Sequence, residues 1–239
     1  MDKMFEEGIK RQELNLLFVI DNSGSMEGEK IGSVNNAIRD IMTIMPDIQD
    51  DTSDADIMIS ALTFNDDASW VYKEPKKVSD FVWKDIRTDG GTDFSKAYDE
   101  LSKFLCKRES GGKMPDIGGV APIIILMSDG MPTSRDWEKH LIELKKKGWY
   151  KVALKYALAI QIDTQEAMDV LTKFTGNPET VLKVYTAEAL RKVIKVIAVT
   201  ASKVKSCSNM INGDNLVCKE EVAKQEINKG LEEISGVEW

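Results

Sequence analysis

The feature that most constrains this chain is a series of short, nearly continuous apolar runs separated by segments of helical periodicity. Residues 14–20, 57–64, 121–127 and 152–161 each read as a strand, with shorter candidates at 71–72 and 181–184. A sheet with one wet face alternates apolar and polar residues. Unbroken runs instead indicate strands covered on both faces, as in a parallel sheet.

Between the runs, apolar residues recur at three- and four-residue spacing. Ile31, Val34, Ile38, Ile41, Met42 and Met45 form one such face, with Pro46 as its expected stop. Phe94, Ala97, Tyr98, Leu101 and Leu105 form a second, and Leu141 and Leu144 a weaker third before Gly148. Asp163 or Thr164 is placed to cap a helix carrying Ala167, Val170, Leu171 and Phe174. Leu190, Val193, Ile194, Ile197 and Ala201 line a last helix opening near Thr186. Strands and helices alternating through residue 204 predict one doubly wound α/β domain, a mostly parallel central sheet with helices on both faces. The expected division is an N-terminal segment at 1–13, the domain at 14–204 and a C-terminal extension at 205–239. Residues 107–119 hold five Gly or Pro residues and read as a long loop. The extension is rich in Lys and Glu. Its pattern leaves a packed element, a partner-binding tail and disorder all open.

Composition removes several function classes. A formal charge of −8 disfavours nucleic-acid and anionic-membrane surfaces, which draw on clustered Lys and Arg. Cys106, Cys207 and Cys218 form no CxxC pair, and His140 is the single histidine, so a structural zinc site lacks ligands. A Ser-His-Asp or Cys-His hydrolase would have only His140, which lies in a charged helical stretch. Residues 1–10 are charged, and no apolar run approaches the ~18–20 residues of a bilayer span. The expectation is a cytoplasmic protein with reduced thiols and no membrane partner. Asp50, Asp51, Asp54 and Asp56 read as a solvated loop, and Lys145–Lys147 as a helix end favoured by the dipole. The methionines, Met42, Met45 and Met127 among them, are assigned to packing. Trp70, Trp83, Trp137 and Trp149 would mark a partner surface only if exposed.

Three oxygen-rich loops carry the chemistry. The first strand runs into Asp21-Asn22-Ser23-Gly24-Ser25, the apolar run 121–127 into Ser128-Asp129-Gly130, and Gly90-Gly91-Thr92-Asp93 precedes a helix. Ligands of open parallel sheets sit at the carboxyl edge, where strand order reverses. If the strands ending at Asp21 and Asp129 are neighbours there, their loops meet, with Thr92 approaching from above. Carboxylates and hydroxyls without thiol or imidazole suit a hard divalent cation: Mg²⁺ first, Mn²⁺ or Ca²⁺ as alternatives. Five such donors leave the ion short of ligands, and a carboxylate from another molecule can fill the vacancy. The bland alternative is that each loop merely makes turns and helix caps.

This combination resembles the von Willebrand factor A domain with its metal-ion-dependent adhesion site. The family pattern D-x-S-x-S, a separate Thr and a separate Asp is matched by Asp21, Ser23 and Ser25, by Thr92 and by Asp129. The resemblance spans residues 14–204. It implies that Ser23 and Ser25 ligate the metal directly, that Thr92 does so directly or through water, and that Asp21 and Asp129 hold metal-bound waters. It further implies a non-enzymatic module binding a protein partner that supplies an acidic residue. The stretch Leu126-Met127-Ser128-Asp129-Gly130-Met131-Pro132-Thr133 is most similar to bacterial TerY-like proteins of tellurite-resistance and stress operons. That similarity implies a kinase or PP2C-type phosphatase of the same operon as partner. The Cys/His-rich tail of some relatives has no match in 206–239. In some A domains the last helix, here 187–203, shifts on ligand binding, so the tail is expected to report occupancy.

A metal-dependent phosphohydrolase on a similar sheet is the competing reading. Its haloacid-dehalogenase form needs a second Asp two positions after the first, where this chain has Ser23. Nucleotide-binding signatures are absent, since Gly24, Gly28 and Gly32 lie four apart and no G-x-x-x-x-G-K-[ST] loop occurs. A scaffold that leaves its metal site unused is the third reading.

Overall fold

The computed structural model describes residues 11–51, 55–117 and 119–206, with side chains at 51 and 198–206 left aside. Seven strands form one open sheet: β1 Gln12–Asp21, β2 Ala55–Phe64, β3 Ala68–Trp70, β4 Lys76–Lys77, β5 Ile123–Ser128, β6 Leu154–Ile160 and β7 Val181–Val184. The order is β3-β2-β1-β5-β6-β7, with β4 pairing β2. β1, β2, β5, β6 and β7 are parallel, and only β3 and β4 run antiparallel. Six helices accompany them among the described residues: α1 Glu29–Asp51, α2 Phe94–Phe104, α3 Trp137–Lys145, α4 Gly148–Val152, α5 Gln165–Thr175 and α6 Ala187–Ser206.

The continuous apolar run of β1 follows from its place at the centre. Leu14, Leu16, Phe18 and Ile20 face a core built from α1 and α6, while Leu17 and Val19 face a second core under α2, α3 and α5. Both faces are dry, so neither can afford polar alternation. β5 divides the same way, with Ile123, Ile125 and Met127 on one face and Ile124 and Leu126 on the other. At ~25 cal/mol per Å² of apolar surface, these two strands anchor the domain.

Three local expectations need correction. Pro46 does not stop the first helix, which continues to Asp51. Proline lacks the N–H that would bond the Met42 carbonyl, but tertiary contacts hold the extra turn. Ile48 is buried there, and Gln49 clamps the start of β2, donating to the Ala55 carbonyl at 2.8 Å and accepting from the Ile57 N–H at 2.6 Å. The short strand expected at 71–72 lies instead at Ala68–Trp70, where Trp70 stacks on Phe104 at 4.6 Å. Residues 148–152 form a helical turn, so β6 begins at Leu154. Thr186 does open the last helix, its Oγ1 accepting from the Ala189 N–H at 3.1 Å. The 107–119 loop closes on itself through a Lys107–Met114 bridge.

The four tryptophans singled out above pack partly buried against the two cores. Cys106 is a free thiol. Cys207, Cys218, the side chains of Asp51 and Asp54 and the extension beyond 206 lie outside the described residues.

His140 on α3 bonds Asp99 of α2 through Nδ1 at 2.7 Å, and its Nε2 lies 3.6 Å from Asp136. The hydrogen bond to Asp99 leads in holding its pKa above the ordinary 6.5, with both carboxylates adding to the rise. The protonated pair therefore stabilises the α2–α3 contact below the unfolded-state pKa, and this contribution fades as pH rises through the folded-state value. NMR titration should place the His140 midpoint above 6.5, and Asp99→Asn should move it down. In thermal denaturation, Pro46→Ala should raise stability by ~1 kcal/mol or more, since it restores a helical hydrogen bond.

Candidate metal centre at the carboxyl edge of the sheet

β1 and β5 are neighbours, and each ends at a candidate site loop. The chain leaves β1 toward β2 on one side and returns to β5 on the other, so the strand order reverses between them. Asp21 is the last residue of β1, and Asp129 follows the last residue of β5.

The first loop turns on its own aspartate: the Ser23 N–H donates to Asp21 Oδ1 at 2.9 Å. The Asn22 N–H reaches the Phe64 carbonyl at 2.9 Å, tying the turn to the end of β2. The third loop is laid over the first. Asn22 Nδ2 donates to the Arg87 carbonyl at 3.0 Å, the Asp89 N–H to the Asn22 carbonyl at 2.9 Å and the Gly24 N–H to the Gly90 carbonyl at 2.9 Å. Gly90 has φ 66°, a left-handed conformation that favours glycine, and a Cβ there would also displace the Asp66 carboxylate. Asp93 caps α2 by accepting from the Ser95 N–H at 2.9 Å, which fixes Thr92 one residue before the cap. The Thr133 N–H and Oγ1 hold the Thr92 carbonyl at 2.9 and 3.1 Å.

These ties bring the side-chain oxygens together. Ser23 Oγ and Ser25 Oγ are 3.1 Å apart, and Ser25 Oγ donates to Asp129 Oδ1 at 2.7 Å. Thr92 Oγ1 and Ser25 Oγ approach Gly130 together, lying 3.8 and 3.7 Å from where a Cβ would project. Ser128 Oγ donates to Asp21 Oδ2 at 2.6 Å and accepts from the Gly130 N–H at 3.2 Å. Lys30, in the first turn of α1, donates to Asp129 Oδ2 and, at 3.2 Å, to the Ser25 carbonyl.

The floor of this cluster is dry and its mouth is wet. Asp21, Ser23 and Thr92 are buried, and the Asp129 side chain is only 1% exposed, whereas Ser25 is exposed. Burial pushes the Asp21 carboxyl above its ordinary pKa, against hydrogen bonds from Ser128 and Ser23 that lower it; Asp129 adds to the rise. A divalent cation would act in the opposite sense, favouring the carboxylate.

The donor set fits a hard cation. Ser23 Oγ, Ser25 Oγ and Asp129 Oδ1 are consecutive neighbours at 3.1 and 2.7 Å. Adjacent oxygens of an octahedron with ~2.0–2.1 Å bonds are about 3 Å apart, a spacing the two serine hydroxyls match, while Asp129 Oδ1 stands beside them to accept from a metal-bound water. Hydroxyls dominate the set. Among the described residues no three His, Cys, Asp or Glu side chains gather as a metal cluster. An ammonium already rests against Asp129, so the pocket accepts positive charge in this conformation.

All five residues singled out from the sequence thus line one pocket. Two of its members were missed. Ser128 fixes Asp21, and its only sequence signal is a hydroxyl immediately before Asp129. Lys30 reads in sequence as a solvated residue on a helical first turn, and only the fold carries it to a residue 99 positions away.

The sequence of residues 15–198 matches the family model of the von Willebrand factor type A domain. The chain belongs to that family. Members of it are generally interaction or adhesion modules rather than enzymes, and are commonly metal-dependent. No curated protein matches this A domain in sequence. Similar solved structures include the pilus adhesin SpaC from Lactobacillus rhamnosus GG, with TM-score 0.64 and 16% identity over 81% of this chain and 31% of the adhesin. The ArnB paralog VWA2 from Sulfolobus acidocaldarius has TM-score 0.53 and 21% identity over 77% of this chain and 44% of its own. Proximal thread matrix protein 1 from the mussel byssus, in a form with a zinc-occupied MIDAS motif, has TM-score 0.56 and 16% identity over 80% and 48%. The A domain therefore spans less than half of each of these proteins, and at such identities the likeness is one of fold. No helix among the described residues is long and apolar enough to cross a membrane.

Ser128→Ala should strip a buried carboxylate oxygen of its donor. Urea denaturation of the metal-free A domain should show a loss of about 1–3 kcal/mol.

Proposed function

We propose that this A domain is a non-enzymatic, metal-dependent protein-binding module. Ser23, Ser25 and Thr92 would hold Mg²⁺, or Mn²⁺ or Ca²⁺ in its place, and Asp21 and Asp129 would orient its waters. Bound there, the cation supplies a coordination position for a carboxylate from a protein partner. The observation that carries this reading is the run of close oxygens from Ser23 through Ser25 to Asp129, above a buried Asp21 at the β1–β5 switch point. The zinc-occupied MIDAS of the mussel matrix protein, on the same fold, supports it.

The residues divide the work by depth. Asp21 is locked by Ser128 and the Ser23 N–H, and so offers a fixed negative charge at the floor. Ser25 stands at the exposed mouth, where a partner would arrive. Met131, 48% exposed just beyond Gly130, adds an apolar contact beside it.

The similarity to TerY-like proteins extends the proposal to a cytoplasmic stress-response assembly. A kinase or PP2C-type phosphatase with an exposed acidic residue would be the partner. Phosphohydrolase chemistry is disfavoured by residue 23. It is a serine whose Oγ is engaged with Ser25, leaving no acid or base two positions after Asp21.

Affinity capture from lysate in Mg²⁺ tests the module. A partner retained by the wild type should be lost in EDTA and with Ser23→Ala/Ser25→Ala. Capture that survives both would refute the metal bridge. Phosphoester turnover abolished by Asp21→Asn would favour the phosphohydrolase instead.

A further inference from the structure

Lys30 places an ammonium group inside the pocket proposed to hold the cation. Its ammonium contacts Asp129 Oδ2 and lies 3.2 Å from the Ser25 carbonyl oxygen. Both residues also present oxygens to the metal pocket, Asp129 through Oδ1 and Ser25 through Oγ, and those two atoms are 2.7 Å apart. A cation seated against Ser25 Oγ would therefore share the Asp129 carboxylate with the ammonium.

The Asp129 side chain is 1% exposed. A buried carboxylate left with one hydroxyl donor is costly, so a countercharge is required when no metal is present. Lys30 supplies it from within the chain. The same charge opposes a dication a few ångströms away, where the surroundings screen poorly. With both cations on one carboxylate, each weakens the hold of the other.

The lysine has a path out to solvent. Its side chain is 24% exposed, against 1% for its partner, and ends a flexible four-carbon stem. Glu27 and Glu29 lie beside it in sequence on the exposed rim and offer countercharge outside the pocket.

We propose that Lys30 is a tethered competitor for the metal pocket. It neutralises Asp129 in the metal-free protein, is displaced into solvent when a divalent cation enters, and so weakens the affinity for that cation. This inference rests on the metal-binding reading above.

Two measurements on the full chain test it, with Mg²⁺ and Mn²⁺ as probes. Calorimetry gives the affinity of the wild type and of Lys30→Gln. The initial rate of Lys30 acetylation, read by mass spectrometry on the wild type, reports its release without any substitution. The expected result is severalfold faster acetylation of Lys30 at saturating Mg²⁺, and binding at least tenfold tighter in Lys30→Gln. Lys30→Arg, which keeps the charge, should bind no tighter than the wild type. Metal binding with unchanged Lys30 acetylation, or with equal affinity in Lys30→Gln, would overturn the competitor and leave the metal site standing. Absence of binding in both proteins would overturn the metal site and the competitor with it. If Lys30→Gln does not fold, the acetylation rates of the wild type decide alone.

Discussion

A buried carboxylate at the end of the central strand organises the carboxyl edge of this domain. Asp21 has no exposed surface, and both of its oxygens must find donors within the protein. One comes from the turn that Asp21 itself starts, through the Ser23 N–H, and the other from Ser128 on the adjacent strand. The second bond joins the ends of β1 and β5 across the point where strand order reverses. It works because the two strands are parallel and in register, with Ile20 opposite Met127. Once that register is set, the residues that follow are forced together, and Ser25 meets Asp129.

The sheet's hydrophobic layers supply the rigidity this arrangement needs. β1 and β5 are dry on both faces, so neither can slide without exposing an entire apolar set. The 87–93 loop is tied over the first loop by two backbone hydrogen bonds and one from the Asn22 side chain, and it delivers Thr92 from outside the strands. Negative charge is concentrated on rigid elements, and the compensating positive charge of Lys30 sits on a flexible stem at the start of a helix. That asymmetry is what a site for an exchangeable cation requires.

Much of this was legible in the chain. The unbroken apolar runs gave the strands because burial on both faces leaves a strong pattern, and the D-x-S-x-S stretch, Thr92 and Asp129 stood out as oxygen donors. What escaped was long-range. Pro46 looked like a helix stop because its local chemistry says so, and the burial of Ile48 with the Gln49 clamp on β2 explains the extra turn. The edge strand moved from 71–72 to Ala68–Trp70 because Trp70 packs on Phe104 of α2, a contact no local window contains. Lys30 carried no sequence signal, since a lysine in the first turn of an amphipathic helix is ordinarily solvated. Its role exists only because the switch point brings Asp129 to it.

The central claim is that these oxygens form a divalent-cation site. The most direct measurement is an anomalous difference map from crystals of the protein grown with Mn²⁺. The account predicts a strong peak within about 2–2.5 Å of Ser23 Oγ and Ser25 Oγ, bordered by Thr92, Asp21 and Asp129. A map with no peak in that pocket, or with manganese held only by other residues, would contradict it.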